Sequence, residues 1–283
     1  MSILNFSNIE KAEEMLNLTW NEFTIALANN KFKYNEINKA INMTFLKVFD
    51  NLFQNTYIKE TISSTLKELK NNDIDLCRAV KLNAHEELTY KRFLPNSKYI
   101  KEDNRFSPKD IEWLYVAIDT KSKVKNQLTD IELCCINECR IEDNDRVGLC
   151  HLTFKEKYLD KKIIDLTISN NISYNKINNS LIKAEKTYYL NINKNFIIKE
   201  ITKWIIYTYT KLLSEQIFKP VSKDKSLKYA PFQCMAQYFI EKNYNGIIYN
   251  STVHNKAKNL VLFNKDYVEQ VGEISDFIYE TNL

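Results

Sequence analysis

Apolar residues follow two different rhythms along the chain, and the change from one to the other divides it. In the first 75 residues they recur at steps of three and four: Leu16, Trp20, Phe23 and Leu27, then Ile37, Ile41, Phe45, Val48, Leu52 and Phe53, then Ile58, Ile62, Leu66 and Leu69. Such spacing gathers side chains on one face of a helix, and no proline interrupts this region. Three amphipathic helices over residues 1–75 are predicted, forming a small bundle or a cover for the rest of the chain. Structural support is their simplest role, and a partner-binding or regulatory module is the alternative.

The helical rhythm stops between Asp73 and Asn83, after which Pro95, Pro108 and polar residues cut the chain into short pieces. Trp113–Ile118, Val147–Phe154 and Ile163–Ile168 read as buried strands, and Gly246–Tyr249 and Asn259–Phe263 as closing strands. A long helical segment is predicted from Ser173 to Phe218, a basic proline-containing loop over Lys219–Lys228, and a helix over Phe232–Lys242. This mixture makes the part after the N-terminal helices α+β.

Composition narrows the chemistry. Of the 283 residues 44% are apolar and 12% aromatic, enough for a real core. Charged residues reach 27%, but the net charge is only +4, too mild for the concentrated basic face of a nucleic-acid binder. No run approaches the ~18 apolar residues of a membrane span, and the first residues lack a basic segment followed by an apolar one, so a cytoplasmic location is expected. Three glycines (Gly148, Gly246 and Gly272) cannot build a GxGxxG or Walker A loop. The six cysteines fit neither a zinc spacing nor a disulfide framework, and the three histidines are scattered, so no metal and no resident cofactor is expected.

Three clusters carry candidate chemistry. Asn104-Arg105-Phe106-Ser107-Pro108 precedes Tyr115 on a predicted strand; an arginine fork suits phosphates and a tyrosine face suits a planar ring. Asn137-Glu138-Cys139-Arg140 comes after the apolar run Leu133–Ile136, and a carboxylate among buried neighbours can be held in a fixed orientation. Tyr229-Ala230-Pro231-Phe232-Gln233 leads to Gly246-Ile247-Ile248-Tyr249-Asn250-Ser251 and on to Asn259-Leu260-Val261-Leu262-Phe263. A serine at a strand end can bond a ligand or its own backbone.

Taken in order, Arg-x-Ser-Pro, Leu-Tyr-Val-Ala, Glu-x-Arg, Ile-Asp-Leu-Thr, Gln, Gly-Ile-x-Tyr-x-Ser and Asn-Leu-Val-Leu-Phe resemble the RES family over roughly Leu88 to Asp266. The resemblance implies an ADP-ribosyltransferase-like fold, with a mixed β core over residues 88–270 that carries helical insertions and comes after an N-terminal helical domain. It implies a toxin-like enzyme that cleaves the nicotinamide–ribose bond of NAD⁺ by hydrolysis or phosphorolysis and depletes the cell of it. An ADP-ribosyltransferase acting on a macromolecule, and a non-catalytic interaction protein working through its N-terminal helices, are the alternatives. An Xre-like antitoxin is the implied partner, and self-association stays open.

Matched by position, Arg105, Tyr115 and Glu138 take the catalytic places, and Ser251 and Gln233 contact substrate. An earlier phosphate-gripping residue falls on Lys91 or Arg92, with Arg92 favoured for its geometry. Three departures accompany the match. An insertion around Lys121–Ile131 lengthens the gap from Tyr115 to Glu138 and leaves Glu132 as a rival catalytic acid. Asn104 stands where a glycine is usual, and residues 173–218 have no family counterpart.

Overall fold

The structure, a computed structural model, describes residues 9–120, 128–171, 173–190, 194–218 and 225–280. In chain order the elements are α1 (Ile9–Ala28), α2 (Ile37–Ala40), α3 (Thr44–Phe53), α4 (Thr56–Ile62), β1 (Ser63–Thr65), α5 (Leu66–Asn71), β2 (Ile74–Leu82), α6 (Tyr90–Phe93) and β3 (Leu114–Thr120). Next come α7 (Asp130–Glu138), β4 (Arg146–Phe154), β5 (Lys162–Asp165), α8 (Tyr174–Tyr189), α9 (Lys194–Phe218), α10 (Lys225–Glu241), β6 (Gly246–Asn250), β7 (Lys258–Leu262) and β8 (Val268–Ile278). The α+β class with an N-terminal helical region, read from the sequence, is what the chain adopts.

Two compact units divide the chain: residues 1–63 with 166–237, and residues 64–165 with 238–283. The first is helical. Its core is an aromatic stack in which Trp20 meets Phe45 at 5.0 Å and Phe232 at 5.5 Å, and Phe45 meets Tyr209 at 5.5 Å between ring centroids. The N-terminal helices and the segment read as an insertion, residues 173–218, thus share one core. The segment is two helices, α8 and α9, packed through Ile177, Leu181, Trp204 and Tyr207. Within α3 the buried residues are Phe45, Leu46, Phe49 and Phe53, while Val48, placed in the apolar stripe by its spacing, is 42% exposed.

The helical rhythm also overran its element. Ile58, Ile62, Leu66 and Leu69 do not lie on one helix, because Ser63–Thr65 forms β1 and α5 starts afresh behind a capping box between Thr65 and Glu68. The basic loop expected over Lys219–Lys228 falls partly outside the described residues. Its end already belongs to α10, and Pro231 sits inside that helix rather than at its start. A proline there lacks the N–H for the preceding turn.

The second unit is built on one sheet, ordered β1-β5-β6-β7-β3-β2-β4-β8. All pairings with a recorded register are antiparallel except β5 with β6. One face is filled by residues such as Leu76, Val116, Leu152 and Leu260. The other is covered by α7, through Ile131, Cys134 and Cys135 packed on Cys77, Ala79 and Ala117. Two strands of the sheet had no clear signature. Asp75, Arg78 and Lys81 break the apolar pattern of β2, and β8 is almost wholly exposed along its length at the end of the sheet.

Candidate active site

The turn before β3 places the first group. Asn104 donates its backbone N–H to Ser107 O at 2.8 Å, which folds Arg105 and Phe106 back beside the strand. Tyr115 on β3 shares a 2.9 Å hydrogen bond between its hydroxyl and Ser107 Oγ. Burial pushes the Tyr115 hydroxyl well above the usual phenol range, and the Arg105 cation pulls the other way. Phe106 packs edge-on against Tyr249 of β6, 4.9 Å between centroids. The Tyr249 hydroxyl is likewise raised, first by burial and then by the Glu138 charge, with Arg105 again opposing. Arg105, Tyr115 and Glu138 therefore all lie within electrostatic reach of Tyr249.

Glu138 is the last residue of α7, and two sheet residues fix its carboxylate. Ser251 Oγ donates to Oε1 at 2.8 Å, and Asn259 Nδ2 donates to the same oxygen at 2.5 Å. Each donor is itself held. Ser251 Oγ, just past β6, accepts the backbone N–H of His254 at 3.1 Å and of Val253 at 3.3 Å. Asn259 Oδ1, on β7, accepts from Cys134 Sγ at 3.7 Å. Ser251 and Asn259 are buried, whereas Glu138 is exposed. The carboxylate of an exposed residue is thus oriented by buried donors.

Sequence reasoning missed Arg78. β2 and β3 pair over Ile74–Cys77 against Ala117–Thr120. Arg78 stands where that ladder ends and donates Nη1 to Tyr115 O at 2.8 Å. Its Nε is buried with no partner, and burial lowers its pKa from the usual guanidinium value. A cation with a buried, unfilled donor is costly unless an anion completes it. The signal was a lone arginine in the apolar run Leu76–Val80. Asn259 was visible only as part of a motif.

The other predicted residues stand on other elements or are already engaged. Arg92 donates Nε to Glu86 at 2.6 Å and Nη2 to Lys81 O at 3.1 Å, and its guanidinium lies 4.1 Å above the Tyr99 ring. It still contributes positive potential at Arg78 and Cys139. Lys91 is exposed on α6, and Gln233 is buried on α10 in the helical unit. Glu132, the rival acid, has both oxygens occupied: Thr129 donates to Oε2 from its N–H at 2.7 Å and from its hydroxyl at 2.8 Å, and His151 lies 3.2 Å from Oε1. Among the described residues no group of three His, Cys, Asp or Glu is placed to hold a metal ion, and no helix is long and apolar enough to cross a membrane.

The fold and site define an α+β protein in which the last residue of one helix presents a carboxylate held by a serine and an asparagine, within electrostatic reach of a buried tyrosine that also feels an arginine and a second tyrosine. The RES domain matches residues 208–280, so the family resemblance is borne out over that segment. It is a domain of toxin–antitoxin type and is consistent with an ADP-ribosyltransferase-like fold. The match takes in Gln233, Ser251 and Asn259 and begins within the segment read as an insertion, while Arg105, Tyr115 and Glu138 lie before it. No curated protein and no solved structure matches the chain.

Proposed function

We propose that this chain cleaves the bond between nicotinamide and ribose in NAD⁺. The observation that carries the reading is the Glu138 carboxylate, pinned at Oε1 by Ser251 and Asn259 and grouped with Arg105, Tyr115 and Tyr249. When the glycosidic C–N bond breaks, its electron pair leaves with nicotinamide and the ribose carbon becomes oxocarbenium-like. A fixed negative charge near that carbon stabilises the transition state more than the ground state. Glu138 supplies it without reorganising, because its orientation is set beforehand.

Arg105 and Arg78 hold the pyrophosphate through charge-assisted bonds, with Arg92 adding to the local potential. Tyr115 provides the face on which nicotinamide packs, and Ser251 shapes the ribose pocket while holding Glu138. Water, or inorganic phosphate, then attacks the ribose carbon and gives up a proton, yielding ADP-ribose or its phosphorylated form. The reaction draws on these side chains, NAD⁺ and the attacking water or phosphate. The biological setting that goes with it is a cytoplasmic toxin restrained by an Xre-like antitoxin.

The test is incubation of the purified chain with NAD⁺, with and without phosphate, and then chromatography of the products. Nicotinamide and free ADP-ribose or its phosphorylated form are expected in equal amounts, and induction in cells should deplete NAD⁺ and arrest growth. ADP-ribose appearing on macromolecules instead would make the enzyme a transferase. Intact NAD⁺ with abundant folded protein would overturn the reading.

A further inference from the structure

α7 carries Glu138 at its C-terminal end, and its other end is tied to the sheet by a feature the reaction does not use. His151, on β4, lies between two carboxylates: Nδ1 is 3.2 Å from Asp75 Oδ2 on β2, and Nε2 is 3.2 Å from Glu132 Oε1 on α7. Both ring nitrogens must carry protons to serve both partners, so the ring is an imidazolium. The side chains are half-buried, between 18% and 30% exposed. With neither nitrogen free, this histidine is unfit for acid–base chemistry but well suited to holding three elements together.

Glu132 joins the bridge to the helix itself. It is the third residue of α7, and its remaining oxygen closes the capping box with Thr129. Glu138 comes six positions later, a rise of about 9 Å along the helix. Further along the same face, Cys135 Sγ donates to Cys77 O at 2.9 Å and Cys139 Sγ to Ala79 O at 3.2 Å. These thiol bonds are weak donors, whereas the bridge is charge-assisted at both ends. A small tilt of α7 would carry Glu138 away from Ser251 and Asn259, and a 1 Å misplacement near the reacting centre can cost about a hundredfold in rate.

We infer that the Asp75–His151–Glu132 bridge is a positioning device that fixes α7 on β2 and β4 and thereby aims Glu138. It rests on the proposed reading of the Glu138 site. The ionisable groups around His151 are Asp75 and Cys77 on β2 and Glu132 and Cys135 on α7. On β8, Glu269 and Glu273 lie either side of Val271, the residue paired with His151. The two bonded carboxylates raise His151 to about 10, so the bridge is intact through the neutral range. In Asp75→Asn one of them is gone, and the ring gives up its proton at lower pH.

The experiment measures NAD⁺ cleavage for wild type, His151→Gln and Asp75→Asn between about pH 6 and 9, on protein shown to be folded by circular dichroism. Expected are a kcat reduced about ten- to hundredfold in His151→Gln, with KM within about twofold of wild type. An alkaline loss of kcat should appear in Asp75→Asn and be absent from wild type over this range. Unchanged kcat in folded variants, a rise confined to KM, or identical pH profiles would overturn the inference. Hydrogen exchange at the α7 amides separates the two ideas. Were wild type to leave NAD⁺ intact, the functional reading would fail, while faster exchange over Ile136–Cys139 in both variants would still support the bridge as the anchor of α7. Exchange as slow as in wild type would overturn it.

Discussion

The proposed reaction turns on which carboxylate faces the ribose, and single substitutions separate the candidates. Glu138→Gln keeps shape and removes the charge that is proposed to steady the oxocarbenium ion. Its kcat should fall on the order of 10²–10³, roughly 3–4 kcal/mol, with little change in KM. Arg105→Ala should instead raise KM, because phosphates are held alike in ground and transition states. Steady-state nicotinamide release checks both. Glu132→Gln weakens the bridge and should lose less than Glu138→Gln; the reverse order would move the catalytic role to Glu132. Arg105, Tyr115, Glu138 and Ser251 were all visible as residues in motifs. Arg78 was not, because its value comes from enclosure at the end of the β2–β3 ladder and from an Nε without a partner, neither of which a lone arginine announces.

Individual elements show where periodicity works and where it stops. Trp113–Ile118 and Val147–Phe154 were legible as strands because their apolar residues are buried in the sheet. β8 was not, since an edge strand with both sides wet needs no apolar alternation. Gly246 opens β6 for a steric reason: a Cβ there would lie 2.6 Å from the backbone oxygen of Val261 and 3.2 Å from Ile163 Cγ2. A backbone oxygen cannot step aside without parting β6 from β7. Gly246→Ala is expected to destabilise the protein by about 1–3 kcal/mol, and to lower activity per folded molecule, because Ser251 comes directly after β6. An unchanged urea midpoint would show that β6 shifts freely.

For the molecule as a whole, the same bridge makes a prediction about pH. His151 is raised from its ordinary 6.5 to about 10 by Asp75 and then Glu132. Its contribution to stability is therefore fully present below about 6.5 and is lost as pH rises through about 10. Glu132 is lowered by His151 and Thr129 against the opposing effect of burial. Its contribution is present above the ordinary carboxylate range and lost as pH falls through the lowered value. Thermal melts should show wild type losing more of its Tm advantage over His151→Gln at both extremes than near neutrality, and parallel curves would contradict this.

The sequence by itself determined the local elements of this protein: amphipathic helices at the N-terminus, buried strands around Tyr115 and Ser251, and an order of motifs that pointed to the RES domain. These are matters of period and short-range chemistry, written in neighbouring residues. Only the tertiary structure decided that the N-terminal helices share a core with α8, α9 and α10, since Trp20 carries no mark of Phe232 as its partner. It also gave Glu132 and Glu138 different surroundings. Six residues apart on α7, they point about 120° from each other, and the sheet beneath offers His151 to one and Ser251 with Asn259 to the other. Contacts between residues far apart in the chain are set by which strands lie side by side, and that pairing is not a local property of the sequence.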